Sequence, residues 1–366
     1  MEQAIITAAE NYRQFDEWIA ERGCKRILLV CGNSIRRLTA LYSHLKAIPE
    51  SVCVFTRFSD FQPNPRYESV AEGVALFRRR ECDGIVAVGG GSAMDVAKCV
   101  KLYSGMDAQR NYLEQEIVPN RIPFLAMPTT AGSGSEATRY AVIYYGGVKQ
   151  SVTHESCIPD TVLIDSGALK TLPAYQRKST MMDALCHAVE SCWSIRATEE
   201  SQRYSQEAIA QILFHMDGYL SNAEAGNRGM LLAAHTAGKA IDIAQTTAGH
   251  AMCYGITSLF HIAHGHAAAL CDRVLLPWMA KNAAQSGGEA LHKIATAMGC
   301  ATPNIAADKF RNLFSSLKLE VPAATEEQFR FLRQSVNPVR LKNHPVPLDE
   351  QTTDALYRQI LNGEPL

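Results

Sequence analysis

The sequence predicts an α/β domain built on a parallel sheet, followed by an all-α domain. Three observations carry this. Apolar strand-like runs alternate with helical stretches through the first half, strand signals disappear from Met181 onward, and helical periodicity there takes over through almost all of the remainder. At 366 residues the chain is long for one core, and a usual domain size of roughly 100–200 residues implies two. The polar stretch 171–179, containing Pro173, marks the change of character, so we expect domains at 1–176 and 177–366.

Taken in order, the strand candidates are RILLVC at 26–31, VCVFT at 52–56, GIVAVG at 84–89 and IPFLAM at 122–127. Residues 1–21, which carry acidic side chains, read as an amphipathic helix. Asn64-Pro65 is a helix start, and Val70, Val74, Leu76 and Phe77 fit one face of the helix that follows. The third strand runs directly into Gly89-Gly90-Gly91-Ser92 and then a helical stretch, an arrangement that suits a pyrophosphate. It matches neither G-x-G-x-x-G nor a Walker A loop, and three glycines after a strand are a tight turn nearly as often. A second glycine-rich loop, 128–136, follows the fourth strand, and two such loops at strand carboxyl ends favour a nucleotide over plain turns. Strands at 140–145 and 161–165, with the turn signal Gly146-Gly147 between them, complete the domain.

Composition narrows the functional classes. With 47% hydrophobic and 20% charged residues and a formal charge of -1, nothing points to nucleic acid or a membrane surface. No apolar run reaches the roughly 18 residues of a membrane span, and the N-terminus lacks the basic and apolar regions of a signal peptide. We therefore expect a cytoplasmic enzyme acting on a small molecule. The 11 cysteines, with no C-x-x-C pair and mostly within apolar runs, read as reduced core residues.

The second half carries the ionisable cluster. Asp183 and His187 stand four apart on one helix and share a face, as paired metal ligands do. His250, His261, His264 and His266 follow. On one continuous helix His250 and His264 would lie roughly 21 Å apart, too far to share an ion. The helix must break between them, and Gly255, Ile256, Thr257 and Ser258 are where we expect it. A lone histidine is more often a satisfied core residue than a ligand, but one aspartate with three histidines is a donor set suited to Fe²⁺ or Zn²⁺.

At this point the residues resemble a known family, the iron-containing (group III) alcohol dehydrogenases. GGGSAMDVAK at 89–98 looks like that family's pyrophosphate loop and PTTAGSGSEAT at 128–138 like its second cofactor loop. The likeness runs from the first strand through Leu270 and weakens over the last helices. It implies a Rossmann-like N-terminal domain, an all-α C-terminal domain and a cleft between them, the arrangement shared with dehydroquinate synthase. It places the four metal ligands on Asp183, His187, His250 and His264. It also implies cofactor contacts at Gly89, Gly90, Gly91, Ser92, Thr129, Thr130 and Ser133, with Asp95 ordering the loop and Lys149 near the ribose. A homodimer is the expected assembly.

Two departures from the family pattern matter. Members that require NAD carry an acidic residue at the end of the first strand, whereas Gly32, Asn33, Ser34, Arg36 and Arg37 stand here, which implies NADP(H) in preference to NAD(H). Tyr254 occupies a position where several relatives, lactaldehyde reductase among them, have a histidine linked to proton transfer; His261, His266, Tyr254 itself or a water chain could substitute, and the sequence does not rank them. The segments SEATRYAVIYYGG, ESCWSIRATEES and HGHAAAL are most similar to the phosphonoacetaldehyde reductase branch, which implies reduction of that aldehyde to 2-hydroxyethylphosphonate. Such an anion wants a cation, and Arg139 is the first candidate, His266 the second. The alternative is a lactaldehyde or general short-chain alcohol dehydrogenase. A sugar-phosphate cyclase is the rival from another reaction class, and the Asp-His-His-His set argues against it.

Overall fold

The computed structural model describes residues 3–283 and 287–365, so the first two positions of the helix expected over 1–21 lie outside the described residues. The chain divides into two units. The first takes the residues up to Thr130 together with Ser135–Leu172; the second takes Ala131–Gly134 and everything from Pro173. The boundary expected at 176/177 falls at Leu172/Pro173, because residues 174–176 already belong to a helix of the second unit that Pro173 precedes.

The first unit contains β1 (Ala4–Thr7), α1 (Ala9–Arg22), β2 (Arg26–Cys31), α2 (Thr39–Ala47), β3 (Val54–Phe58), α3 (Tyr67–Arg79), β4 (Gly84–Gly89), α4 (Gly91–Tyr103), β5 (Phe124–Pro128), β6 (Tyr140–Tyr145), β7 (Val148–Thr153) and β8 (Thr161–Ile164). Six strands pair in parallel in the order β1-β8-β5-β4-β2-β3, and β6 and β7 form a separate antiparallel hairpin. Strands β4 and β5 are buried along their whole length, which is why they read as unbroken apolar runs. Alternation sorts their neighbours. Leu28 and Val30 of β2 face a core shared with α3 and α4, while Ile27, Leu29 and Cys31 face one shared with α1 and α2.

Two expectations are corrected here. The helix predicted over 1–21 is a strand and a shorter helix: the β-branched run at Ala4–Thr7 pairs residue by residue with β8, and α1 begins only at Ala9. The Gly146-Gly147 turn does not lead to 161–165; both glycines have positive φ and close a hairpin onto β7, whose polar, partly exposed sequence VKQSVT hides it from pattern reading.

The second unit is helical: α5 (Ala174–Trp193), α6 (Glu199–Leu220), α7 (Glu224–Ala244), α8 (Ala248–Phe260), α9 (His264–Asn282), α10 (Gly288–Ala297), α11 (Pro303–Ser316), α12 (Glu326–Ser335), α13 (Pro338–Leu341) and α14 (Glu350–Asn362). From Met181 to Trp193 every residue of α5 is buried, as expected of a helix enclosed by others. Among the described residues no helix is long and apolar enough to cross a membrane. All 11 cysteines are free, Cys300 being half-buried and the others buried.

Leu28 is fully buried on a strand flanked by β4 and β3. Leu28→Ala is expected to lower unfolding free energy by about 2–5 kcal/mol, measured by urea titration of the full chain.

Candidate metal centre and nucleotide cradle

Asp183, His187 and His250 each offer a ligand atom, all within 4.8 Å of one another, and all three side chains are buried. Position fixes the first two: one helical turn apart on α5, they present to the same side. His250 comes from the first turn of α8, and its ring stacks on that of His187 at 4.5 Å with an 18° interplanar angle. Each imidazole is held by its outer nitrogen. The His187 Nδ1–H donates to the Gly132 carbonyl at 3.3 Å, and His250 Nδ1 bonds to the Glu190 carboxylate. In both rings this turns Nε2 inward as the donor atom.

His250 Nε2 and Asp183 Oδ1 then face each other at 3.6 Å, both buried and neither with a hydrogen-bond partner. Unshared buried lone pairs are costly. A divalent cation supplies the missing partner, and a carboxylate with imidazole nitrogens suits Fe²⁺ or Zn²⁺, so the residues fit the ion. The charges agree. Burial alone would raise the Asp183 carboxyl, but His187, His250 and His264 beside it hold it well below the usual carboxylate range. Burial lowers His187 to about 4, leaving a neutral ring able to ligate.

His264 lies outside the three-residue cluster but alongside it. It opens α9, its ring stands edge-on to His250 with centroids 5.4 Å apart, and its Nδ1 faces Cys253 Sγ at 3.7 Å. The required break between His250 and His264 exists, though not at 255–258. Helix α8 runs on to Phe260, and His261, with φ 53°, ends it. Gly255 is no breaker; a Cβ there would collide with Ser335 and crowd Leu332, so it lets α12 approach. The chain at 261–263 is pinned instead by Tyr175, whose hydroxyl accepts from Ala263 N–H at 2.9 Å and meets His266 Nδ1 at 3.0 Å.

That brace corrects the reading of His266. Its Nε2–H donates to the Glu320 carbonyl at 2.8 Å, so both ring nitrogens are engaged, and burial lowers its pKa. It is a structural histidine, neither proton relay nor substrate cation. His261 caps a helix and is exposed. Tyr254 does stack on His264, centroids 5.4 Å apart, and burial raises its phenol, keeping it protonated at neutral pH.

Glu190 is the residue that motif reading passes over. It stands at i+7 from Asp183 and i+3 from His187, on the same face of α5, and that spacing was the available signal. Fully buried, its carboxylate accepts from Thr247 N–H at 2.6 Å, Thr247 Oγ1 at 2.7 Å and His250 N–H at 3.1 Å, besides the His250 ring. It thus caps α8 from another helix while orienting a ligand. Asp272 of α9 lies next to it; burial, then the neighbouring Glu190, pushes that carboxyl well up. Among the described residues no N–H or O–H reaches either Asp272 oxygen, and the Cys186 thiol lies alongside. Only glycine fits at 249, where a Cβ would strike both carboxyls, and at 265, where it would strike the Ser179 carbonyl and Asp183.

In the first unit, β4 leads through Gly89 and Gly90 into α4, whose amino end no side chain caps. A Cβ at Gly90 would sit 3.2 Å from Thr130 Oγ1, and the loops are tied by Thr129 N–H to the Gly89 carbonyl at 3.0 Å. Bare N–H groups of Gly91 and Ser92 on a glycine floor fit a pyrophosphate. Beneath them Asp95 accepts from Ser135 Oγ at 3.2 Å, and fully buried Lys98 reaches Ser135, Thr138 and the Tyr140 carbonyl. Burial raises Asp95 to about 6, against the pull of Lys98, the Val142 N–H, Ser135 and Lys149. Lys149, on β7, is thereby brought to this loop, whereas Ser133 belongs to the second unit.

Gly32 ends β2 and opens a short turn, Asn33–Arg37, in which Asn33, Ser34, Arg36 and Arg37 are exposed. Arg57 of β3, not singled out from the sequence, donates from Nη2 to Asn33 Oδ1 at 2.7 Å. Arg139 is not brought to the cradle. It lies 3.4 Å from Glu155 in a cavity of about 830 Å³ with Arg22, Lys101, Arg121 and Asp160. Ile122, Pro123 and Asp160, which also line it, lead into β5 and β8, so the cavity is at the amino edge of the sheet, opposite the glycine loops. The substrate role expected of Arg139 is therefore withdrawn.

An anion cradle at a strand end and a buried set of nitrogen and carboxylate donors, carried by one chain, fit a nucleotide and a divalent ion. The comparisons agree. The model for iron-containing alcohol dehydrogenase matches residues 3–166, and that for the Fe-containing alcohol dehydrogenase family, C-terminal, matches 178–360. The chain belongs to the iron-containing alcohol dehydrogenase family. It is 36% identical over 220 residues to a probable alcohol dehydrogenase, EutG, of Escherichia coli, a match spanning 58% of this chain and only about half (54%) of that protein. It is 28% identical over 317 residues to the NADPH-dependent butanol dehydrogenase of Clostridium saccharobutylicum, covering 84% of this chain and 81% of the relative. Its fold matches sulfoacetaldehyde reductase from Bifidobacterium kashiwanohense, solved with NAD+, at TM-score 0.89 and 24% identity over 99% of this chain and 98% of the other.

Two outcomes follow from the packing and the charges. Gly265→Ala forces α9 from α5 and is expected to cost about 1–3 kcal/mol of stability in urea unfolding. Asp95 binds its proton more tightly folded than unfolded, so its contribution is present below about pH 4 and lost as pH rises through about 6. Asp95→Asn is expected to flatten that fall in a midpoint-versus-pH profile.

Proposed function

We propose that this chain is a metal-dependent, NAD(P)H-linked oxidoreductase that interconverts a small aldehyde and its primary alcohol. The observation that carries the reading is the buried pair of atoms without a hydrogen-bond partner, Asp183 Oδ1 and His250 Nε2, beside His187, on which the His250 ring stacks. Asp183, His187, His250 and His264 would hold Fe²⁺ or Zn²⁺, with Glu190 orienting His250. Gly89 to Ser92, Thr129 and Thr130 would bind the cofactor phosphates, Asp95 and Lys149 supporting that loop, and Gly32, Asn33 and Ser34 would meet the adenosine ribose. When bound, the ion supplies Lewis-acid polarisation of a carbonyl oxygen and the nicotinamide supplies the hydride.

The protein's own residues do the rest. Glu190 and the Gly132 carbonyl hold two imidazoles in one tautomer, so their lone pairs converge without reorganisation. Tyr254, stacked on His264 and kept protonated, is the group that holds the proton the product alcohol needs. Absence of an acidic residue at the β2 end favours NADP(H) over NAD(H). For the substrate we propose phosphonoacetaldehyde, on the sequence likeness described above. The free cysteines suit a reducing, cytoplasmic setting.

The test is oxidation of NADPH by phosphonoacetaldehyde, lactaldehyde, succinic semialdehyde and simple alkanals, with Fe²⁺ or Zn²⁺ added, alongside metal analysis. Asp183→Ala and His264→Ala are each expected to remove both bound metal and aldehyde-dependent turnover. Full activity in metal-free protein would overturn the metal site, and equal rates on charged and uncharged aldehydes would overturn the phosphonate.

A further inference from the structure

At the carboxyl end of the sheet, beyond the glycine loop of β4, the next strand is β2 and the edge strand is β3, paired so that Leu29 faces Arg57 and Val30 faces Phe58. Phe55 packs in the core shared with α1 and α2, and Phe58 in the core on the other face. By strand alternation Arg57 rises on the α1 and α2 face. Its guanidinium passes the Cys31 thiol at the end of β2 and reaches Asn33, giving Nη2–H to the side-chain oxygen at 2.7 Å. Its Nε is buried and has no hydrogen-bond partner. Among the described residues no carboxylate pairs with it, and residues 29–37 contain none. A half-buried cation with an unused donor, answered by a neutral amide and a thiol, lacks its natural counter-charge.

The position says which anion would supply it. Ligands of open parallel sheets lie beyond the strand carboxyl ends, with the pyrophosphate on the glycine loop and the adenosine ribose over the adjoining strand end. That end is Gly32, with Asn33 and Ser34 exposed above it. We propose that Arg57 reads the 2′-phosphate of NADP(H), with Asn33 holding the guanidinium in place until the phosphate arrives. This deepens the NADP(H) reading above and rests on it. A planar guanidinium offers a phosphate two parallel donors that a flexible surface cation does not. Arg36 and Arg37, both exposed on the turn, would instead contribute a general field.

Binding decides it without turnover. Affinities of the purified full chain for NADPH, NADH, 2′,5′-ADP and 5′-AMP are measured by calorimetry. The wild type is expected to favour each 2′-phosphorylated ligand over its partner, and Arg57→Met, which keeps the apolar stem against Cys31, to lower that preference at least about tenfold. Asn33→Asp, a change at an exposed site, puts a carboxylate on the guanidinium and is expected to lower it likewise, so the inference is tested even if Arg57→Met does not fold. A wild type without 2′-phosphate preference rejects the NADP(H) reading itself. A wild type with that preference, retained in Arg57→Met or Asn33→Asp, overturns the assignment of Arg57. If Arg36→Ala/Arg37→Ala abolishes it while Arg57→Met does not, the phosphate belongs to the turn.

Discussion

The helical unit is organised around one buried negative charge, the carboxylate of Glu190. Ionised and without water, such a group costs several kcal/mol unless donors surround it. Four do: the Thr247 N–H and hydroxyl, the His250 N–H and the His250 ring. These bonds start α8 and set the tautomer of His250 at the same moment. Asp272, brought next to Glu190 by α9, cannot carry a second charge in the same dry space, and burial makes it the protonated partner. The close passage of Gly249 between the two carboxyls follows from that crowding.

The nucleotide unit solves a related problem. Its phosphate loop needs bare backbone donors, so no side chain can brace it from above. The brace comes from below, where Asp95, Lys98, Ser135 and Thr138 form a buried network tying α4 to the segment after the second loop. Rigid support beneath and glycine on top let a loop stay open to a ligand without collapsing.

Much of this was legible beforehand, and the exceptions have physical reasons. Fully buried strands such as β4 and β5 announce themselves by apolar runs, whereas β1 is four residues long and β7 is half polar. The break between His250 and His264 was required by distance alone, but its place was not, because a glycine that admits a neighbouring helix looks the same in sequence as one that ends its own. Asp183, His187 and Glu190 share one helical face, and the third was lost only because a carboxylate at i+7 reads as an ordinary surface acid. Arg139 and Arg57 show the reverse difficulty. Sequence proximity put the first beside a loop from which the chain has already returned to the amino edge of the sheet, while the second reaches Asn33, twenty-four residues away, only through the pairing of two strands.

The tetrapeptide Ala131–Gly134 lies with the helical unit although the chain on both sides of it belongs to the sheet. From it comes the Gly132 carbonyl that fixes the His187 ring. The unit that carries the candidate metal centre is therefore not one contiguous stretch of the sequence. A chimera joined at residue 173 would inherit every imidazole of the candidate metal centre from one parent and the acceptor that aims His187 from the other. Exchange of cofactor domains among such enzymes would thus be constrained at a backbone carbonyl, where no side chain records the dependence.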